Sequence, residues 1–468
     1  MVTGDRPSTT VDTPLRASWT ETEPIPLERA MAALEPVDAV WAAPDEPTIV
    51  TSGRVQTIAA GGEGRFESVR RQSADLFDRV RTEALPEPAR PRLVGGFSFF
   101  GTDTLSRPWA GFEPASFSLP EVQIAITEDR TWITAFASAS EQTESELETV
   151  LEATATQLHA SETPLGTARG PAGESAQLVS ESLRATEADW SDRVATITET
   201  IQASGLEKVV LAQGLDLAFA GEFNLGTVLS SLGEVYPSCH RFAFSDGASP
   251  VVSGNGRGPD GQRPADPPTY FLGASPERLV SKSGTDIATE ALAGTVDRGE
   301  TSAADEANAE FLREDPKIRE EHDLVAREIE AQLDRIGESV RVGDRSIRKL
   351  ATVQHLQAPI QARVEAGSHV LEVVEALHPT PAVGGRPPDA AMAVIREHDP
   401  VERGWYAAPF GWFDRSGDGT FAVGIRSGLV SGDRATLFAG NGIVGDSDPA
   451  TEWDEVRLKF RPLRSALG

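Results

Sequence analysis

Between residue 26 and about 160, short segments of alternating apolar and polar residues mix with segments of helical spacing. The run from Arg92 to Phe100 predicts a buried strand with a glycine bend at Gly95-Gly96. Trp109 follows it, and Ser116 to Ile126 alternates like a further strand. The acidic stretch Glu141 to His159 has the period of a helix. Residues 1 to about 26 are polar with four prolines and are expected to form a loose arm.

Ser161 to Gln177, rich in Gly, Pro, Ala and Ser, reads as a surface connection. Beyond it Thr186 to Ser204 is an amphipathic helix and Leu206 to Ala212 a strand. Gly254 to Pro268 holds four glycines and four prolines, as a tolerated insertion would. A strand from Asp286 runs to Glu290, just before a glycine turn in Ala291 to Thr295. Asp315 and Pro316 open a helix with Ile318, His322, Val325, Ile329 and Ile336 as its apolar stripe and Glu321 on the flank. In Phe421 to Gly428, alternation places Arg426 on the face of Ala422 and Gly424. No internal repeat is present.

The C-terminal stretch from Ala439 to Lys459 joins a Gly440-Asn441-Gly442 loop to a helix capped by Asp448 and Pro449. Glu452, Glu455 and Lys459 fall on one face of that helix, at i, i+3 and i+7. With 72 acidic residues in 468, such pairs arise by chance, so the glycines, the cap and the lysine carry the interest.

The length allows two or three ordinary domains or one large α/β fold. A net charge of −29 argues against nucleic acid and anionic membrane surfaces as partners. Only five of the 43 basic residues are lysines, namely Lys208, Lys282, Lys317, Lys349 and Lys459. Acidic excess with so little lysine implies a protein kept soluble in concentrated salt, hence a halophilic host. In that background a lysine points to work arginine cannot do, such as losing a proton. The single Cys239 excludes an intrachain disulfide, and the absence of any leader-like or membrane-length apolar run predicts a cytoplasmic protein.

Lys208 shares a strand face with Val210 and Ala212, where an ammonium among apolar groups becomes a candidate base, or else snorkels out at the strand end. Glu290 is either a general acid or an exposed strand-end residue. Glu321 paired with Glu455 would make a hard oxygen site suited to magnesium; the alternative is a salt bridge to an arginine. Arg426, with small neighbours, suits bidentate capture of a carboxylate or forms a structural ion pair.

In order, Lys208-Val-Val-Leu-Ala212, Phe271-Leu-Gly-Ala-Ser-Pro-Glu-Arg-Leu279, Glu290-Ala-Leu-Ala-Gly-Thr295, Lys317-x-x-x-Glu-His322, His378-Pro-Thr-Pro-Ala-Val-Gly-Gly385, Glu402 to Gly411, Gly424-Ile-Arg426 and the C-terminal stretch closely resemble the chorismate-utilising enzymes. Within that family the pattern is most similar to the isochorismate synthase branch. The resemblance implies an α+β protein, one large α/β sandwich of two antiparallel sheets with helices outside. Residues 1–160 would form the N-terminal part of that single fold and 178–468 its chorismate-binding region.

By matching motifs, Glu321 and Glu455 would bind Mg2+, with Glu452 acting through water. Lys208 would be the base that activates water for attack at ring C2, and Glu290 the acid for the hydroxyl leaving C4, its pKa raised by desolvation. Arg426, Tyr406, Lys459 and the backbone of Gly440 to Gly442 would hold the substrate carboxylates, with Ser275, Thr295 and His355 nearby. Chorismate is the implied small-molecule partner, a monomer is expected, and the expected pathway is menaquinone synthesis.

Amino-transferring relatives, anthranilate synthase component I among them, typically carry glutamine at Lys208 and draw ammonia from a glutaminase partner, so none is expected here. Ala293 stands where aminodeoxychorismate synthases have a nucleophilic lysine, and Ala382 where salicylate synthases usually have threonine. A noncatalytic chorismate-binding subunit is the alternative from another class, and the intact Lys208, Glu290, Glu321 and Glu455 argue against it. Three positions depart from the pattern: Asn441 and Gln213, at the expected pocket rim, and Ile318, where several relatives have glutamate.

Overall fold

The structure is a computed structural model that describes residues 13–81, 85–160, 177–247, 267–350 and 353–468. The connection at 161–177 and the insertion at 254–268 therefore lie almost wholly outside the described residues. Two large antiparallel sheets of 12 and 10 strands form the body, with helices around them.

The first sheet runs, neighbour to neighbour, through Leu15–Thr22, Thr131–Ser138, Val122–Ile126, Thr48–Ser52, Ala39–Ala42, His240–Ser245, Tyr270–Ser275, Ser427–Ser431, Arg434–Val444, Lys208–Phe219 and Gly385–Arg386. Leu178–Leu183 also pairs with the Lys208 strand. The second contains Val353–Arg363, Asp286–Asp297, Arg278–Ser283, Gly419–Val423, Pro409–Phe413 and Leu93–Phe97 in that order. Strands from before residue 160 and after 178 are thus woven into both sheets.

Aromatic side chains fill the space between the sheets. Phe242 of the first lies 4.8 Å, centroid to centroid, from Phe410 of the second, and Trp41 and Phe271 also pack on Phe410. Each such buried ring is worth about 1.5–3 kcal/mol in transfer free energy. Gly95 permits close strand approach, since a Cβ there would sit 1.9 Å from the Ser116 carbonyl oxygen.

Several sequence expectations change. Leu15–Thr22 is not a loose arm but the edge strand of the first sheet, paired along its length with Thr131–Ser138. Its Leu15 is buried and its threonines and Trp19 suit a half-exposed pleat. Ser116 to Ile126 is two strands, Ala115–Leu119 and Val122–Ile126, one in each sheet. The helices Glu144–Ala160 and Glu187–Ala203 stand close to their expected positions, the second closed by a Thr186/Asp189 capping box.

The site depends on two neighbouring crossovers between the sheets. One links Tyr270–Ser275 to Arg278–Ser283 through Glu277; the other links Gly419–Val423 to Ser427–Ser431 through Arg426. The Val423 amide donates to the Glu277 carbonyl at 3.0 Å and the Ala274 amide to the Arg426 carbonyl at 3.2 Å, tying the two together. Arg426 has φ +50°, so strand alternation does not set its direction.

Candidate active site

Lys208 opens the strand Lys208–Phe219, which pairs with Arg434–Val444 in the register Val210↔Gly442 and Ala212↔Gly440. The Val210 amide goes to Gly384 O and the Ala212 amide to Asp399 Oδ1, both away from the glycine strand. These are therefore non-hydrogen-bonded pairs, and the Gly440 and Gly442 peptide groups turn to the far edge. Lys459 Nζ donates to the Gly440 carbonyl there at 2.9 Å. The expected glycine loop is strand, and its glycines make room on a strand face.

A Cβ on Gly442 would lie 2.4 Å from Lys208 Cε, and one on Gly440 3.0 Å from the Tyr406 hydroxyl oxygen. Lys208 thus lies against the bare backbone of Gly442. Gly442→Ala is expected to push the lysine aside and lower turnover at least about tenfold, since small misplacement of a reacting group is costly. Circular dichroism should show an unchanged fold, because the added methyl meets the far end of a flexible side chain.

Lys208 Nζ stands 3.4 Å from Glu321 Oε1, and Lys459 Nζ 2.8 Å from Glu455 Oε1. Both glutamates are about half exposed. Glu452 is more buried, and burial, reinforced by Glu455, raises its pKa. Ser447 Oγ donates to its Oε1 at 2.7 Å and Asn441 Nδ2 to its Oε2 at 2.9 Å. Asn441 is fully buried and points to the helix Pro449–Lys459, so it secures Glu452 rather than lining a pocket rim.

Among the described residues no three acidic, histidine or cysteine side chains form a ready-made metal cage. The donor set nevertheless suits a hard cation: Glu321 and Glu455 offer carboxylate oxygens, each now facing a lysine ammonium.

Glu290 lies in the middle of Asp286–Asp297, not at a strand end; the glycine beside it is a bulge at Gly294, φ +71°. Its Oε1 accepts from Arg348 Nη1 at 2.8 Å, and Gln357 Nε2 donates to its Oε2. This carboxylate is thus held in an ion pair with Arg348. Glu277 is the carboxyl that burial raises. Burial first, and then the negative charge of Glu290, push it up to about 7, against the opposing effects of the Thr380 hydroxyl, Lys208 and Arg348. Thr380 Oγ1 donates to Glu277 Oε1 at 3.3 Å. Ser275 serves it as well, its Oγ accepting the Glu277 amide at 3.2 Å, which makes Ser275 a turn-shaping residue.

Arg426 has no carboxylate within ion-pair distance among the described residues, and its Nη1 is buried without a partner. Burial lowers its pKa, opposed by the nearby Cys239 and Tyr236, and the Tyr236 ring lies 5.9 Å from the guanidinium carbon. His355 Nδ1 and Thr295 Oγ1 are 3.0 Å apart while Nε2 lacks a partner. Burial, with Arg426, Arg348 and Lys459 nearby, pushes His355 down to about 4. A buried guanidinium N–H and an imidazole nitrogen, both unpartnered, suit an anionic ligand with polar substituents.

These pKa shifts predict an acid-sensitive fold. Burial holds His240, His355 and His369 down to about 4 and His378 to about 3. The unfolded chain binds these protons near 6.5, so stability is full above that pH and falls as pH drops toward 4, by roughly 1.4 kcal/mol per pH unit for each histidine. Glu277, raised instead, works in the opposite sense between its ordinary value and about 7, which leaves the histidines dominant. Denaturant midpoints between pH 7 and 4.5 should fall steeply; a flat profile would contradict neutral burial.

Lys208, Glu321, Glu455, Lys459 and Tyr406 therefore gather at the strand of Gly440 and Gly442; Arg426, His355 and Thr295 form a second group, whose His355 feels the charges of Arg426 and Lys459. The sequence reading missed Glu277, Thr380 and Arg348. A separate cleft of about 430 Å³, lined by Arg107, Arg184, Arg396 and Arg403 among others, contains none of the expected site residues. Gln213, fully buried, bonds the Ala185 backbone and so is structural. Ile318 packs over Gly294.

Residues 15–254 and 265–468 match the chorismate binding enzyme family, and the chain belongs to it. It is 33% identical over 439 residues to the isochorismate synthase MenF of Bacillus subtilis, covering 92% of this chain and 87% of the relative. It is also 33% identical to the salicylate biosynthesis isochorismate synthase of Pseudomonas aeruginosa, over 87% of this chain and 80% of that one. The solved structure of MenF, the menaquinone-specific isochorismate synthase of Escherichia coli, superposes with TM-score 0.75 at 25% identity, covering 98% of this chain and 97% of that one. Anthranilate synthase component I of Streptococcus pneumoniae, at 20% identity and TM-score 0.69, shares the fold over 90% of this chain and 93% of its own.

Proposed function

We propose that the protein is an isochorismate synthase that converts chorismate to isochorismate. The observation that carries this reading is Lys208, seated over Gly442 with its ammonium 3.4 Å from Glu321, in the same protein as the buried carboxyl of Glu277, whose pKa burial raises. Lys208 Nζ would take a proton from water as its oxygen bonds to ring C2. The ring double bonds shift, the C4–O bond breaks, and Glu277 protonates the departing hydroxyl, which leaves as water. One water enters and one leaves; Lys208 and Glu277 then exchange protons with solvent. Glu290 supports Glu277 rather than serving as the acid.

Arg426, His355 and Lys459 would hold substrate carboxylate and hydroxyl groups, with Thr295 orienting His355. Tyr406, its hydroxyl raised by burial and facing Gly440, would add a neutral donor. Glu321 and Glu455 would hold Mg2+, supported indirectly by Glu452, and the ion would supply positive charge to the ring carboxylate. Chelation with EDTA is expected to cut turnover at least about 100-fold, several kcal/mol of charge stabilisation, with recovery on adding Mg2+. Calorimetric titration should show the ion binding to the wild type and more weakly to Glu455→Gln.

Similarity to the menaquinone-specific enzyme of Escherichia coli supports a place in menaquinone synthesis. The acid-rich, lysine-poor composition supports work in concentrated salt, and no helix among the described residues is long and apolar enough to cross a membrane. Incubation with chorismate and Mg2+ in high salt, read by mass and absorbance, tests the activity. Isochorismate is the expected product. Salicylate with pyruvate, an ammonia-dependent amine, or binding without turnover would each replace the reading with a different one.

A further inference from the structure

Glu290 is held more firmly than a spectator would need to be. Arg348 Nη1 donates to its Oε1, Gln357 to its Oε2, and the amide joining Glu277 to Arg278 approaches its Oε1 at 3.4 Å. Arg348 is fixed in turn, its Nη2 lying 3.3 Å from the Ser238 carbonyl. The two carboxylates come from different elements, Glu277 from the crossover that leads into Arg278–Ser283 and Glu290 from Asp286–Asp297, which pairs with that strand.

We propose that Glu290 is a positioning residue for Glu277: clamped by Arg348 and Gln357, it holds the Glu277–Arg278 peptide and sets a fixed negative charge beside it. This rests on the reading of Glu277 as the proton donor. A carboxylate near another resists ionising, because the second charge must be created beside the first. Burial alone would raise Glu277, but Lys208 and Arg348 pull it back, and Glu290 offsets them. The charged groups that act on Glu277 are Glu290, Lys208 and Arg348, with Arg278 next to it in the chain and His240 near the Ser275 carbonyl. His240 stays neutral through burial and leaves the charge balance to the others.

The test is a pH titration of the substrate-free full-length protein by infrared difference spectroscopy, following the carboxylic-acid carbonyl stretch. Surface acids ionise well below neutrality, so a band titrating near 7 stands apart, and its loss in Glu277→Gln assigns it. Glu290→Gln keeps the size and hydrogen-bonding capacity of the side chain but removes the charge; its midpoint should fall by at least about one pH unit, tenfold in proton affinity. Arg348→Gln removes the opposing charge, and its midpoint should rise. A purely structural role for Glu290 would lower activity without moving the band. An unmoved midpoint in Glu290→Gln overturns the proposal, as does a falling midpoint in Arg348→Gln should the first variant not fold. Separately, chorismate turnover surviving in Glu277→Gln would overturn the donor reading on which the proposal rests.

Discussion

Lys208→Ala is expected to lower isochorismate formation by about 10²–10⁴-fold, the usual contribution of a positioned base. The side chain reaches its place because Gly442 has no Cβ, and its ammonium faces Glu321 at 3.4 Å. Truncation leaves Glu321 about half exposed, so water solvates the freed carboxylate and the fold should survive. Lys208→Arg should rescue nothing, since a guanidinium does not deprotonate in this pH range and its bulk does not fit over the glycine. Product formation by chromatography, with circular dichroism as the control, checks both variants. Wild-type turnover in Lys208→Ala would remove the base from the mechanism.

Glu277→Gln should cost a comparable factor, about 10²–10⁴-fold, because the amide fills the same buried volume but cannot deliver a proton. This variant has a second signature. Wild-type Glu277 keeps its proton in the folded state up to about 7 while the unfolded chain releases it near 4.5, so its stabilising value is lost between those two values. The glutamine does not titrate, so the variant should gain thermal stability relative to wild type as pH rises from about 4.5 to 7 and keep that gain unchanged above it. Lost activity without that relative gain would point to disturbed packing rather than a missing acid. By contrast, Glu290→Gln acts through Glu277 and should be the milder lesion.

The lysine argument shows how far composition can be pushed. All five lysines form ion pairs: Lys208 with Glu321, Lys282 with Asp418, Lys317 with Asp446, Lys349 with Asp305 and Lys459 with Glu455. Only Lys208 and Lys459 lie at the glycine strand. Scarcity narrowed the search without separating a reactive amine from a structural one, because that depends on neighbours remote in the chain. Glu321 is 113 residues from Lys208.

The choice between Glu277 and Glu290 has the same cause. Both stand in motifs that resemble the family's, and nothing local distinguishes a carboxylate that meets an arginine from one that does not. Arg348 reaches Glu290 across 58 residues because Ser346–Lys349 adds to the strand Val353–Arg363, itself paired with Asp286–Asp297. The family resemblance puts Asn441 in a glycine loop at the pocket rim. Strand alternation instead sends it to the opposite face from its glycine neighbours, onto Glu452.

Short-range physics was therefore legible in the chain: the caps at Asp315 and Asp448, the helix and strand periods, the compact residues around Lys208, and the ordered motifs that imply two antiparallel sheets. These depend on contacts within a few residues, or on a pattern specific enough to carry a fold with it. Tertiary structure alone decided which carboxyl holds a proton, which arginine stays unpaired and which glycines make room for a side chain. Burial and charge pairing are properties of a three-dimensional neighbourhood, and they set proton affinity by amounts that no local pattern encodes.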